Sequence, residues 1–140
     1  MKACVIHGAK DLRLSDWPTP VPGPGDVLVR LGAGGICGSD LHYFAEGGVG
    51  DFVVREPLVL GHEGAGTVIE AGPGVNASEF AVGDHVLSSF VTMCGMCHYC
   101  TIGRPALCEV GAKTLFTLPT GDLRTKDAAG APLNIFSAAA

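Results

Sequence analysis

The sequence predicts a mainly β domain, rich in tight turns and carrying only short helices. Three observations support this. Of 140 residues, 21 are Gly and 9 are Pro, types that gather where a chain turns rather than where a helix continues. The runs between them are brief, rich in Val, Ile and Leu, and several alternate with a period of two, the pattern of short strands. Apolar residues make up 47% and charged residues 16%, with a mean hydropathy of +0.36, which favours a buried core and argues against disorder. The length suits one domain with its own core rather than two.

Taken in order, Lys2 to Ile6 is an opening strand, with Cys4 inside it as a buried residue, and Leu12 to Leu14 alternates as a second. Pro18, Pro20, Pro22 and Pro24, with Gly23 and Gly25, form a stiff connector and turn. Asp26 to Leu31 is the clearest strand. After the Gly-rich run 32–35, Ser39 and Asp40 cap a short helix that ends at Phe44. Gly47 to Asp51 is a loop. Leu58 to Leu60 and Thr67 to Ile69 are short strands, the second closed by Gly72-Pro73-Gly74, and His85 to Leu87 follows the Gly83-Asp84 turn. Beyond Met93 periodicity fades, and the tail after Gly121 shows no definite element. The final apolar run, Asn134 to Ala140, ends without a cap and suggests a chain cut inside a domain. No internal repeat is present.

With 14 acidic against 9 basic residues and a net charge of −5, there is no basic footprint. Nucleic acid and anionic membrane are therefore not expected partners. No apolar run reaches the length of a membrane span. The residues before His7 contain no apolar signal segment, and with cysteines at metal-site spacing a reduced, cytoplasmic protein is the expectation. The glycine runs at 32–35 and 72–74 do not lead from a strand into an apolar-periodic helix, so neither is a dinucleotide-binding loop.

Four of the six cysteines fall together: Cys94, Cys97, Cys100 and Cys108 spell C-x2-C-x2-C-x7-C. Two-residue spacers let successive thiolates turn onto one ion, and the longer span returns a fourth. Four sulfurs with no vacant position describe a closed structural zinc site. An iron–sulfur cluster and a disulfide framework are the alternatives; the ferredoxin run differs in its last spacing and its following Pro, and here Glu109 follows Cys108. His98 lies between ligands as a surface residue.

A second constellation is split. Cys37, Ser39, Asp40 and His42 stand in one stretch, His62 and Glu63 in another. A thiolate, an imidazole and a carboxylate bind a metal only if the fold joins them. Taken singly, Cys37 could be a buried thiol, Asp40 a helix cap, and His42 and His62 loop residues.

The motifs together add a resemblance. Gly61 to Val75 matches in full the pattern G-H-E-x2-G-x5-G-x2-V, the signature of zinc-containing alcohol dehydrogenases in the medium-chain dehydrogenase/reductase superfamily. The C-G-S-D-x-H stretch at 37–42 and the cysteine lobe follow in that family's order and separation. Residues 11–68 look most like the polyol branch, the sorbitol, xylitol and L-idonate dehydrogenases. Leu115 to Phe136 looks more like the longer insert of enzymes acting on simple alcohols.

The resemblance implies a GroES-like, partly open β barrel, present here as its N-terminal part over 1–140 with a structural zinc lobe at 93–109. It implies catalytic zinc held by Cys37 and His62, with Glu63 ligating or approaching it and a remaining ligand beyond residue 140. It implies that Ser39 bonds the substrate hydroxyl and passes its proton through His42 to solvent, and that Asp40 orients His62. Tyr43 and Phe52 become candidates either for pocket walls or for simple packing, while His7 and His85 stay structural. It also implies NAD(P), bound by a separate Rossmann domain not contained in these residues, a small alcohol or polyol as substrate, and a homo-oligomer at full length. By itself, this stretch is expected not to turn over substrate. The competing readings are a dehydrogenase of simple alcohols, a non-catalytic zinc-binding β module, and a quinone-reductase relative without the metal.

Overall fold

The computed structural model describes residues 1–89, 93–111 and 125–135. Strand β1 (Lys2–Gly8) folds back on β2 (Asp11–Asp16), pairing Cys4 with Leu14 and Ile6 with Leu12. Strand alternation turns Ala3 and Val5 inward. The same alternation turns Cys4 out: it is exposed, contrary to the expectation from its strand position.

β3 spans Val27–Gly34 and is longer than Asp26 to Leu31, because the small residues at its end remain in the ladder instead of turning. Helix α1 spans Gly38–Glu46 rather than Ser39 to Phe44. Cys37, in extended conformation, is its N-cap, and the Asp40 carboxylate reaches back to accept the Cys37 backbone N–H at 2.9 Å. The helix start is thus secured from its third residue. Gly47, in the left-handed conformation, ends it. The expected loop at 47–51 contains a small hairpin, β4 (Gly48–Val49) with β5 (Phe52–Val53), closed across Gly50-Asp51.

β6 (Leu58–Val59) adds to the other side of β1, giving a sheet ordered β2-β1-β6. β7 (Gly64–Ala71) lies between β3 and β8 (His85–Leu87) in a second antiparallel sheet. Helix α2 (His98–Thr101) and a single 3-10 turn at Pro105–Leu107 shape the cysteine lobe. In the tail, β9 (Thr125–Lys126) pairs with β10 (Pro132–Leu133), and the Asp127 carboxylate between them accepts the Ala129 and Ala131 N–H groups. Two-residue strands leave no periodicity to detect. Half of the insert-like stretch 115–136, residues 115–124 and 136, lies outside the described residues.

Two apolar clusters hold the first sheet. Ile6, Tyr43 and Leu58 pack together with Val49, Val54 and Leu60, which fixes α1 against β1 and β6. Ala3, Val5 and Val59 form the second, covered by Trp17 and Ile135. Ile6 and Val5 are fully buried, each stabilising the fold by about 1.5–3 kcal/mol through area removed from water. α1 is therefore held by core packing on one side while its first turn faces the site.

Two candidate metal centres

The cysteine lobe brings the Sγ atoms of Cys94, Cys97, Cys100 and Cys108 within 4.8 Å of one another. Cys97 caps α2, and Cys108 follows the 3-10 turn. The Cys97 and Cys108 sulfurs stand 3.9 Å apart. A tetrahedral ion with Zn–S bonds of about 2.3 Å needs sulfurs about 3.8 Å apart, whereas a disulfide needs about 2.05 Å. The spacing fits one ion shared by four thiolates. An iron–sulfur cluster would attach the thiolates to different irons and hold them farther apart.

Backbone N–H groups point at these sulfurs: Cys94 donates to the Cys108 Sγ at 3.3 Å, Gly111 to the same atom at 3.2 Å, and Cys97 to the Cys94 Sγ at 3.4 Å. Such donors favour the ionised form. The Gly111 N–H chiefly draws the Cys108 thiol down to about 6. The Cys97 thiol is lowered too, first by the Cys100 backbone. Desolvation pushes the Cys100 thiol up to about 11. His98 is exposed and packs edge-on against Tyr99.

The second centre is made by strand pairing. β3 and β7 align Gly34 with Gly64, and the Gly35 N–H donates to the Glu63 carbonyl at 2.7 Å. That register sets the residues just after β3 beside those just before β7. The Cys37 Sγ and donor atoms of His62 and Glu63 come within 4.8 Å of one another. Glu63 reaches the group across Gly35, where a Cβ would collide with its carboxylate and with its own Cβ. Among the described residues, these two are the groups of three or more that could hold a metal.

His62 is only 9% exposed. Its Nδ1 lies 3.6 Å from the Asp40 carboxylate, so Nε2 is the ring nitrogen turned away from Asp40 and suited to a metal. Thiolate, imidazole and carboxylate together form a donor set that zinc accepts, with room for a further ligand. An open cleft of about 660 Å³ is lined by Cys37, Ser39, His62, Glu63, Leu87 and Ser88, among others.

The remaining expected residues divide. Ser39 lines this cleft, and Asp40 stands behind His62. His42 is outside the lining, exposed on α1, with Nδ1 3.3 Å from Glu46 Oε1. Tyr43 is in the core, where burial raises its hydroxyl pKa, and Phe52 is exposed on the small hairpin. Neither lines the cleft. His7 and His85 are exposed on β1 and β8. Gly61 and Gly95 adopt positive φ beside ligands. Ser88, one residue past β8, bonds the His62–Gly64 main chain and belongs to no motif; no spacing rule would have found it.

The β domain thus carries two groups that could hold a metal, one of four cysteines and one of mixed donors beside an open cleft. The model of the alcohol dehydrogenase GroES-like domain matches residues 23–129, and the chain belongs to the zinc-containing alcohol dehydrogenases of the medium-chain dehydrogenase/reductase superfamily. Sorbitol dehydrogenase of Gallus gallus is 59% identical over 73 residues, covering 52% of this chain and 21% of its own length, which supports the polyol branch. NDMA-dependent alcohol dehydrogenase of Amycolatopsis methanolica is 42% identical over 125 residues, covering 88% of this chain and 32% of its own. The alcohol dehydrogenase zinc-binding domain protein of Burkholderia ambifaria superposes with a TM-score of 0.77 at 34% identity, over 97% of this chain and 36% of that one. The chain thus spans about a third or less of the curated relatives it matches. Among the described residues, no helix is long and apolar enough to cross a membrane.

Proposed function

We propose that this chain supplies the substrate-side portion of a cytoplasmic, zinc-dependent, NAD(P)-linked dehydrogenase that oxidises the CH–OH group of a small polyol to a carbonyl. The observation that carries the reading is the convergence of Cys37, His62 and Glu63 beside Ser39 in one open cleft. A zinc ion held by these three residues would make a bound hydroxyl far more acidic than it is in water. Ser39 lines the cleft, and its hydroxyl would accept the hydrogen bond of that substrate hydroxyl and take its proton while passing its own outward towards His42. His42 sits one helical turn further along α1, on the solvent side, where an imidazole can carry a proton outward near neutral pH. Asp40 steadies the His62 ring from behind. NAD(P) would be bound by a separate cofactor domain outside these residues.

The likeness to an alcohol dehydrogenase over most of the chain favours a second reading, simple alcohols as substrates. Metal analysis and a substrate panel test both. Two zinc ions per chain are expected, with Cys37→Ser removing one and leaving the other. In the full-length enzyme, NAD(P)+ reduction should be faster with sorbitol-like polyols than with benzyl alcohol or ethanol. The reverse order would support the second reading. A single zinc insensitive to Cys37→Ser would leave a structural zinc module and no dehydrogenase site.

A further inference from the structure

We infer that Ser88 is a positioning residue for the cleft's metal ligands, acting through the main chain that carries them. It follows β8, where the ladder to β7 ends after Leu87 pairs with Ala65. Its backbone N–H donates to the Gly64 carbonyl at 2.8 Å, which extends the strand pairing by one residue. Its hydroxyl then does what strand pairing no longer does there. Oγ accepts the Gly64 N–H at 2.7 Å and lies 3.2 Å from both the His62 and the Gly64 carbonyl oxygens. A hydroxyl has one proton to give, so it serves those two carbonyls in turn while holding the Gly64 N–H throughout.

The consequence falls on His62 and Glu63. On one side their segment is held by Gly35 and by the Gly34–Gly64 pairing of β3 with β7. On the other side, the Ser88 hydroxyl reaches the His62 carbonyl. Ser88 also lines the cleft, yet its hydrogen-bonding capacity is engaged by the backbone, which makes it a clamp rather than a substrate contact. Hydrogen bonds around ligand residues set the direction of ligand side chains, and their loss weakens metal binding about 10–100-fold.

The role rests on the metal site of the proposed function, so the test reads the metal directly. Co2+ is added to the chain in place of zinc, and its thiolate charge-transfer and d–d absorption is recorded. Bands lost in Cys37→Ser report the cleft, and bands lost in Cys108→Ser report the cysteine lobe. Ser88→Ala and Ser88→Val are expected to shift the cleft bands and weaken Co2+ there about 10-fold or more, leaving the lobe bands unchanged. Ser88→Thr, which keeps the hydroxyl on a shape like that of Val, should restore both. Wild-type cleft bands and affinity in Ala and Val would overturn the inference. Equal loss at both centres in those two variants would also overturn it, showing a part in folding alone. Absence of any Cys37-dependent band in the unaltered chain would instead bring down the metal reading itself.

Discussion

The two donor groups, one of four sulfurs and one of sulfur, nitrogen and oxygen, are assembled by opposite means. In the cysteine lobe all four donors come from one short stretch of chain, and turns and caps within that stretch aim them: Gly95, the start of α2, the 3-10 turn before Cys108. In the cleft, Cys37 is set by the end of β3 and the start of α1, while His62 and Glu63 are set by the approach to β7. Nothing local joins those stretches. The lobe's donors are aimed within their own stretch, whereas the cleft draws on the sheet, the core under α1 and the backbone bonds around Gly64. A closed site suits structure. An assembled one leaves a side open for chemistry.

The largest expected effect breaks the lobe. Cys108 is almost fully buried, and three backbone or thiol groups converge on its sulfur. Replacing it by Ser removes a soft ligand from a site whose folding depends on the ion. Zinc content is expected to fall by one equivalent, and amide exchange across 93–111 to rise towards the unfolded rate, while β1, β3 and β7 keep their protection. Hydrogen-exchange mass spectrometry with metal analysis measures both. Loss of protection in the two main sheets as well would show that the lobe is not an independent unit.

The same contrast explains what could be read before the fold was seen. The lobe was legible because its chemistry is a matter of spacing: C-x2-C-x2-C-x7-C describes its geometry almost completely. The longer strands were legible from period and turns, though β3 and β7 ran past their expected ends because Ala33, Gly34, Gly64 and Ala65 are small enough to stay in register. The cleft was not legible from spacing. Cys37 and His62 became a pair only through the family resemblance, since a register between distant strands leaves no mark in either stretch. Cys4 was misplaced because the pattern fixes alternation but not which face is buried. Ser88 was invisible because its work is done on backbone atoms, which every residue carries alike.

A middle-sized effect should separate the centres in the other direction. Ile6 is fully buried between Tyr43 of α1 and Leu58 of β6. Ile6→Ala is expected to destabilise the domain by about 2–5 kcal/mol, measured by denaturant unfolding. Because α1 carries Ser39 and Asp40 and is capped by Cys37, the cleft should lose metal affinity as the packing under the helix loosens. The lobe should keep its zinc. Equal weakening of both centres would show that the core supports them alike.

The smallest effect concerns a glycine inside the motif itself. Gly38 stands next to Cys37 in the C-G-S-D stretch, where a close backbone approach to a metal would demand the absence of a side chain. Its surroundings differ from those of Gly35: a Cβ built on Gly38 meets nothing within 4 Å, and its φ is not among the positive ones. It is the first residue of α1, where Ala costs less conformational entropy than Gly. Gly38→Ala is therefore expected to raise stability by about 0.4–1 kcal/mol and to leave Cys37-dependent metal binding as it was. Thermal unfolding and cobalt titration check the two halves. A stability gain with unchanged affinity would mean that the cleft is set by register and capping, with this glycine incidental to it. A loss of affinity would instead place the space above Gly38 inside the volume that the metal's open side requires.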